Sequence, residues 1–80
     1  MDIVEVRKTV AQIILDASEN SIRPSSYDEE LHMDSLVLLE LLIALEKRFG
    51  VVVDESDPEL LEKFNSVNQI ARFVLNTEAG

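Results

Sequence analysis

The chain has 80 residues, 46% of them apolar and 29% charged. That is enough for one globular domain spanning residues 1–80, too little for two, and too apolar for a disordered chain. The net charge of −9 has the wrong sign for nucleic acid, where cations must meet phosphates, and it points to basic protein partners.

No cysteine is present, which excludes a disulfide framework and a thiolate metal site and fits a cytoplasmic chain. Asp2 and Glu5 near the start do not match the basic opening and apolar run of a secretory signal. No apolar stretch reaches the length of a membrane span. The acids gather in the first long loop and the C-terminal part. The segment 35–49 balances Glu40 and Glu46 with Lys47 and Arg48.

In chain order, Ile3, Val6, Val10, Ile13, Ile14 and Ala17 recur at steps of three and four, which predicts an amphipathic helix over 3–17. Asp2 is its expected N-cap, with Glu5 three positions on as a capping-box partner, and Glu19-Asn20-Ser21 ends it. Residues 19–34 read as a long loop, with Pro24 holding Arg23 out of helix and Ile22, Tyr27 and Leu31 as apolar pins. Loops of this length in a small domain are commonly functional.

A second helix is expected over 35–49, with Asp34 as cap, Lys47 and Arg48 opposing the dipole in the last turn, and Gly50 as the stop. Leu38, Leu41, Leu42, Leu45 and Phe49 form its core face. That leaves Leu36, Val37, Leu39 and Ile43 as apolar residues beyond a single stripe. Val51-Val52-Val53 has no second strand to pair with and reads as an extended linker.

Asp57 and Pro58 signal a short third helix bearing Leu60, Leu61 and Phe64. Ser66-Val67-Asn68-Gln69 opens a fourth, with Val67, Ile70, Ala71, Val74 and Leu75 inward, Phe73 flanking, and a frayed tail from Thr77 to Gly80. The expected fold is all-α: a four-helix bundle of three main helices and one short one, with a long first loop.

Catalytic chemistry finds little to work with. His32 is the single histidine, three residues from Ser35, but Gly50 and Gly80 are the only glycines. A hydrolytic triad would therefore lack a glycine oxyanion turn, and no glycine-rich phosphate loop can form. His32 is expected to be a solvent-facing loop residue. Asp54, Glu55 and Asp57 do not fit an EF-hand, which needs a longer ladder of ligands and a central glycine. No metal site and no catalytic residue are expected.

What remains is Asp34-Ser35-Leu36 at the head of the apolar helix. A serine there exposes its hydroxyl beside free backbone N–H groups and the positive dipole end, where a phosphodiester is favoured. The plainer alternative is that Asp34 or Ser35 only caps the helix.

The wider context bears on that choice. His32-Met33-Asp34-Ser35-Leu36, the run Leu41-Leu42-Ile43-Ala44-Leu45-Glu46-Lys47-Arg48-Phe49-Gly50, and Ser66-Val67-Asn68-Gln69-Ile70, in this order of helices, resemble the acyl carrier protein family over roughly residues 3–76. The resemblance implies a monomeric, non-enzymatic bundle of acyl carrier type. Ser35, flanked by Asp34 and Leu36, would be esterified with phosphopantetheine by a phosphopantetheinyl transferase and would carry acyl or aminoacyl cargo as a thioester.

By the same resemblance, Leu36, Val37, Glu40, Ile43 and Lys47 form the docking side for partner enzymes: an acyltransferase, a ketosynthase or an adenylating enzyme. Leu38, Leu41, Leu42, Leu61 and Ile70 line the space for an acyl chain. The sequence departs from the fatty-acid type at several points. His32 stands where the family often has glycine, Val37 where it is frequently acidic, and Lys47 and Arg48 replace acids. These departures suggest a free-standing carrier of polyketide or nonribosomal peptide assembly. A rival reading is an unmodified acidic adaptor that binds another protein through Leu36, Val37 and Ile43.

Overall fold

The computed structural model describes residues 2–79. Four helices follow in order: α1 (Ile3–Ala17), α2 (Ser35–Phe49), α3 (Leu60–Lys63) and α4 (Val67–Ala79), with no strand among the described residues. The all-α architecture agrees with the hydrophobic periodicity. α1 lies between α2 and α4 and packs on both.

Local chemistry sets the boundaries. Asp2 Oδ1 accepts from Val4 N at 3.2 Å and satisfies one of the free amides that open α1. At the other end the chain reverses without glycine. Glu19 and Asn20 both have positive φ, 54° and 67°, a conformation costly for residues bearing a Cβ. Buried Ser18 supports the reversal: its Oγ donates to Ile14 O at 2.7 Å and accepts from Ile22 N at 3.0 Å.

α2 begins and ends where the sequence predicts. Gly50 closes it at φ 71°, where a left-handed residue is required, and donates its N–H to Glu46 O at 2.9 Å. Leu38, Leu41, Leu42 and Leu45 are buried as expected, whereas Phe49 is only partly buried and packs at the edge of the core. The linker 51–53 lies outside any helix or strand and alternates in burial, Val51 buried and Val52 77% exposed.

The third helix differs from expectation. It starts at Leu60 rather than Pro58, with residues 58–59 in a turn; Asp57 Oδ1 still accepts from Glu59 N at 2.9 Å, and its Oδ2 accepts from Lys63 Nζ at 2.6 Å. In α4, Ser66 Oγ accepts from Gln69 N at 3.2 Å, and Gln69 Oε1 accepts from Asn65 N at 2.9 Å instead of from the cap residue. The expected frayed tail is helical through Ala79, with Thr77 Oγ1 donating to Phe73 O at 2.9 Å; Gly80 lies outside the described residues.

The core joins Val6, Val10 and Ile14 of α1 to the inner face of α2 and to Val67, Ile70, Ala71 and Val74 of α4. Phe64 meets Phe73 edge-on, with ring centroids 5.1 Å apart, an arrangement that suits aromatic quadrupoles.

Candidate functional site

The long loop reaches α2 under restraint. Leu31 is buried, and its N–H donates to Asn65 O at 2.9 Å; Met33, which the sequence reading did not list among the pins, is buried as well. Ile22 is half-buried against the core. Tyr27 stays largely exposed; its ring lies 5.5 Å from the Arg7 guanidinium, and its carbonyl accepts from Asn68 N at 2.9 Å.

Asn68 is the knot of this anchorage. It is 8% exposed, accepts from Arg7 Nε at 2.6 Å and donates to the Asp28 carboxylate. One side chain thus ties α1, the loop and α4 together. Spacing could not reveal this, because the partners are 61 and 40 residues away. A polar residue inside the predicted apolar face of α4 was the only signal.

Between the two buried pins stands His32, exposed, with φ 52° and Nε2 at 3.4 Å from Glu30. This left-handed backbone is one that glycine adopts without strain, which is a physical reason for a glycine to suit this position and leaves the histidine unexplained.

Asp34 caps α2 with Oδ1 accepting from Val37 N at 2.8 Å, and its carbonyl accepts from Leu38 N at 3.0 Å. Ser35, the first helical residue, is exposed and has no part in that cap. No acidic residue occupies the first turn. A cleft of about 230 Å³ opens beside it, lined by Ser35, Leu38, Leu39, Leu42, Glu55 and Leu60.

This lining contains part of the expected set. Leu38 and Leu42 are in it; Leu41 and Ile70 are wholly buried core residues outside it; Leu61 is 46% exposed, and its neighbour Leu60 faces the cleft.

Along the outer side of α2, Leu36 is 65% exposed, and Leu39, Glu40, Ile43 and Lys47 are exposed with it. Their spacing puts them on one helix face. Val37 is half-buried and turns toward the core. Leu39, absent from the expected docking set, belongs to this stripe; its i+3 relation to Leu36 was the available signal.

Residues 5–74 match the family model described as "Phosphopantetheine attachment site". An acyl carrier protein of Nitratidesulfovibrio vulgaris (strain DP4) is 38% identical over 64 residues, covering 75% of this chain and 84% of that protein. An acyl carrier protein of Helicobacter hepaticus is 31% identical over 75 residues, covering 92% and 95%. A third, from Chlamydia caviae, is 41% identical over 58 residues, covering 72% and 74%. No solved structure matches the chain significantly. With the match running through the long loop, the head of α2 and the opening of α4, the chain belongs to the acyl carrier protein family and bears covalently attached phosphopantetheine.

Proposed function

We propose that Ser35 is the attachment residue and that the protein is a carrier without catalysis of its own, holding acyl or aminoacyl cargo for the enzymes of a specialised assembly pathway. The observation that carries this reading is the division of labour at the head of α2. Asp34 supplies the cap, so the Ser35 hydroxyl is exposed and free of structural duty.

The surroundings fit a phosphodiester. The dipole end of a 15-residue helix favours an anion there; the first turn itself carries no acid, and the neighbouring Asp34 carboxylate is engaged in the cap. Of the opening amides, Val37 and Leu38 are bonded to Asp34, while Ser35 and Leu36 have no acceptor among the described residues. When bound, phosphopantetheine supplies a terminal thiol that holds cargo as a thioester. The chain's own residues orient it: Asp34 fixes the helix start, Leu31 and Met33 hold the approach, and Leu38, Leu42 and Leu60 offer an apolar cleft.

The stripe Leu36, Leu39, Glu40, Ile43 and Lys47 is the docking side in this reading. It mixes an acid with a base and is otherwise apolar, and Lys47 and Arg48 close the helix. Such a surface suits a dedicated partner better than one that reads a uniformly acidic helix, which supports a polyketide or nonribosomal peptide carrier over the fatty-acid type.

Transfer kinetics test this. Loaded protein presented to its pathway's acyltransferase or ketosynthase should lose rate when Leu36 or Ile43 becomes Ala. The double change of Lys47 and Arg48 to Glu should weaken binding or leave it unaltered. Tighter binding of that double variant, titrated at two salt concentrations, returns the protein to the fatty-acid type.

A further inference from the structure

The outer face of α2 carries an ordered pattern of charge. Leu36, Glu40, Ile43 and Lys47 follow at steps of four, three and four, so they share one line along the helix, opposite the buried Leu38, Leu41 and Leu45. Leu36, Leu39 and Ile43 are all exposed. Three large apolar side chains on one face form a patch, not scattered single residues. Glu40 and Lys47 stand about 10 Å apart along the axis. They do not pair with each other, and neither forms an ion pair with another described residue.

A groove of about 360 Å³ between α1 and α2 borders both. Ala17 and Ala44 line it, and their small side chains leave room for a second helix to approach. Asp16 and Arg48 also line it and offset one another in charge.

The order of the two charges selects the occupant. From the N-terminal end the line reads acid, then base; turned end for end, it reads base, then acid. A second copy laid antiparallel therefore sets each Glu40 against Lys47 of the other, twice over, with Ile43 close to the two-fold axis. A parallel pair would set Glu40 against Glu40 and Lys47 against Lys47. Antiparallel helices also align their dipoles favourably. Each Leu36 then points toward the far end of the other helix, just past which Val52 is exposed. The chain bears a net charge of −9, but acids and bases balance over 35–49, so two acidic copies meet there with little repulsion.

We propose that the outer face of α2 is a self-association surface, pairing antiparallel with the same face of a second copy through Ile43 and two Glu40–Lys47 contacts. The contact spans about three turns of one helix, well short of a standard interface. The pairing is therefore weak, and at micromolar concentration the chain is monomeric. This goes beyond the reading of the stripe as the docking side: a second copy and a docking enzyme use the same residues and exclude each other.

Translational diffusion and amide shifts of the full chain, followed by NMR from about 0.02 to about 2 mM, measure the pairing. Salt at about 0.15 M screens the net charge of each copy beyond about 8 Å and leaves touching charges attracted. The expected dissociation constant lies between about 0.1 and 1 mM, with the concentration-dependent shifts on the outer residues of α2. Glu40→Lys sets base against base and Lys47→Glu sets acid against acid, so each alone should weaken the pairing at least about tenfold. Glu40→Gln, which only removes a charge, should weaken it less.

The two charge reversals mixed in equal amounts should pair as tightly as the natural chain. The introduced lysine of one then meets the introduced glutamate of the other, and the untouched Glu40 meets the untouched Lys47. Both positions are exposed, and the amide spectrum of each variant verifies its fold. A natural chain whose diffusion and shifts do not change up to about 2 mM overturns the proposal. So do single reversals that pair as well as the natural chain, or a mixture no tighter than its components. The enzyme-docking reading is tested separately, by the transfer rates of Leu36→Ala and Ile43→Ala, and survives a failure here.

Discussion

Asp34 and Ser35 are adjacent, exposed and polar, yet their roles differ. Removing the Asp34 cap should cost about 0.5–2 kcal/mol, the usual range for losing an N-cap side chain. Ser35→Ala should cost less than about 0.5 kcal/mol, as expected of a surface change away from any structural feature. Leu45→Ala, at a wholly buried position, should cost about 2–5 kcal/mol, a large share of the stability of a chain this short. Urea unfolding of the three variants gives the ranking. A Ser35→Ala loss as large as that of Asp34→Ala would mean that the serine supports the helix.

His32 offers a second comparison. With φ at 52°, a side chain at this position is strained, and His32→Gly should raise stability by up to about 1 kcal/mol, less whatever the freer unfolded chain takes back. A loss on the same substitution would show that the exposed imidazole contributes more than its backbone costs.

At the scale of elements, the helices and their caps were legible in the sequence because each is written in neighbouring residues: periodicity for the faces, Asp2 and Asp34 for the starts, Gly50 for a stop. The candidate site was legible at Ser35 through the tripeptide and its context. What escaped was set by contacts distant in sequence. Asn68 reads as a minor blemish on α4 until Arg7 and Asp28 are found around it.

Replacing Asn68 with Ala removes the partner of the half-buried Arg7 guanidinium and of the exposed Asp28 carboxylate, and losing these charge-assisted hydrogen bonds should cost about 1–3 kcal/mol in all. Amide exchange in residues 22–31 should quicken well before the interior of α1 does, because local opening follows the weakest anchorage. Uniform acceleration across the chain would deny the loop its separate anchor.

The segment around α3 shows the same limit. Its start lies two residues past Pro58, and Lys63, six residues on from Asp57, bonds the other oxygen of that residue. Two charges now depend on that turn. The hydrogen bond from Lys63, with one from Glu59 N, lowers the Asp57 carboxyl below its ordinary value of 3.8, and the same bond raises Lys63 above 10.5.

A lowered acid contributes stability above its unfolded pKa and gives it up as pH falls through the folded one; a raised base contributes below its unfolded value and gives it up as pH climbs. The turn at 54–59 should therefore be ordered through neutral pH, loosen below 3.8 and loosen again above 10.5. Asp54, lowered mainly by the Ser56 hydroxyl, adds to the acid side only. Amide exchange of residues 54–63 against pH follows this. A turn that stays equally protected at pH 3 would contradict it.

For the whole molecule, the parts agree on one arrangement. Core, caps and loop anchors hold a serine that the fold itself does not use at the positive end of α2, beside an apolar cleft and a largely apolar outer stripe that share Leu39. The acidic balance of the chain is relieved on that helix, where Lys47 and Arg48 offset Glu40 and Glu46. A carrier needs all of these at once: a free hydroxyl, a place for cargo and a surface for partners.

The central claim is that the carried group sits on Ser35, and the most direct measurement is where the mass goes. Incubation with coenzyme A and a broad-specificity phosphopantetheinyl transferase, followed by intact-mass and peptide analysis, should add a single phosphopantetheine, located on the peptide containing Asp34-Ser35-Leu36. Ser35→Ala should take up none. An unmodified mass beside an active control carrier, or a modified peptide that lacks Ser35, would contradict the account.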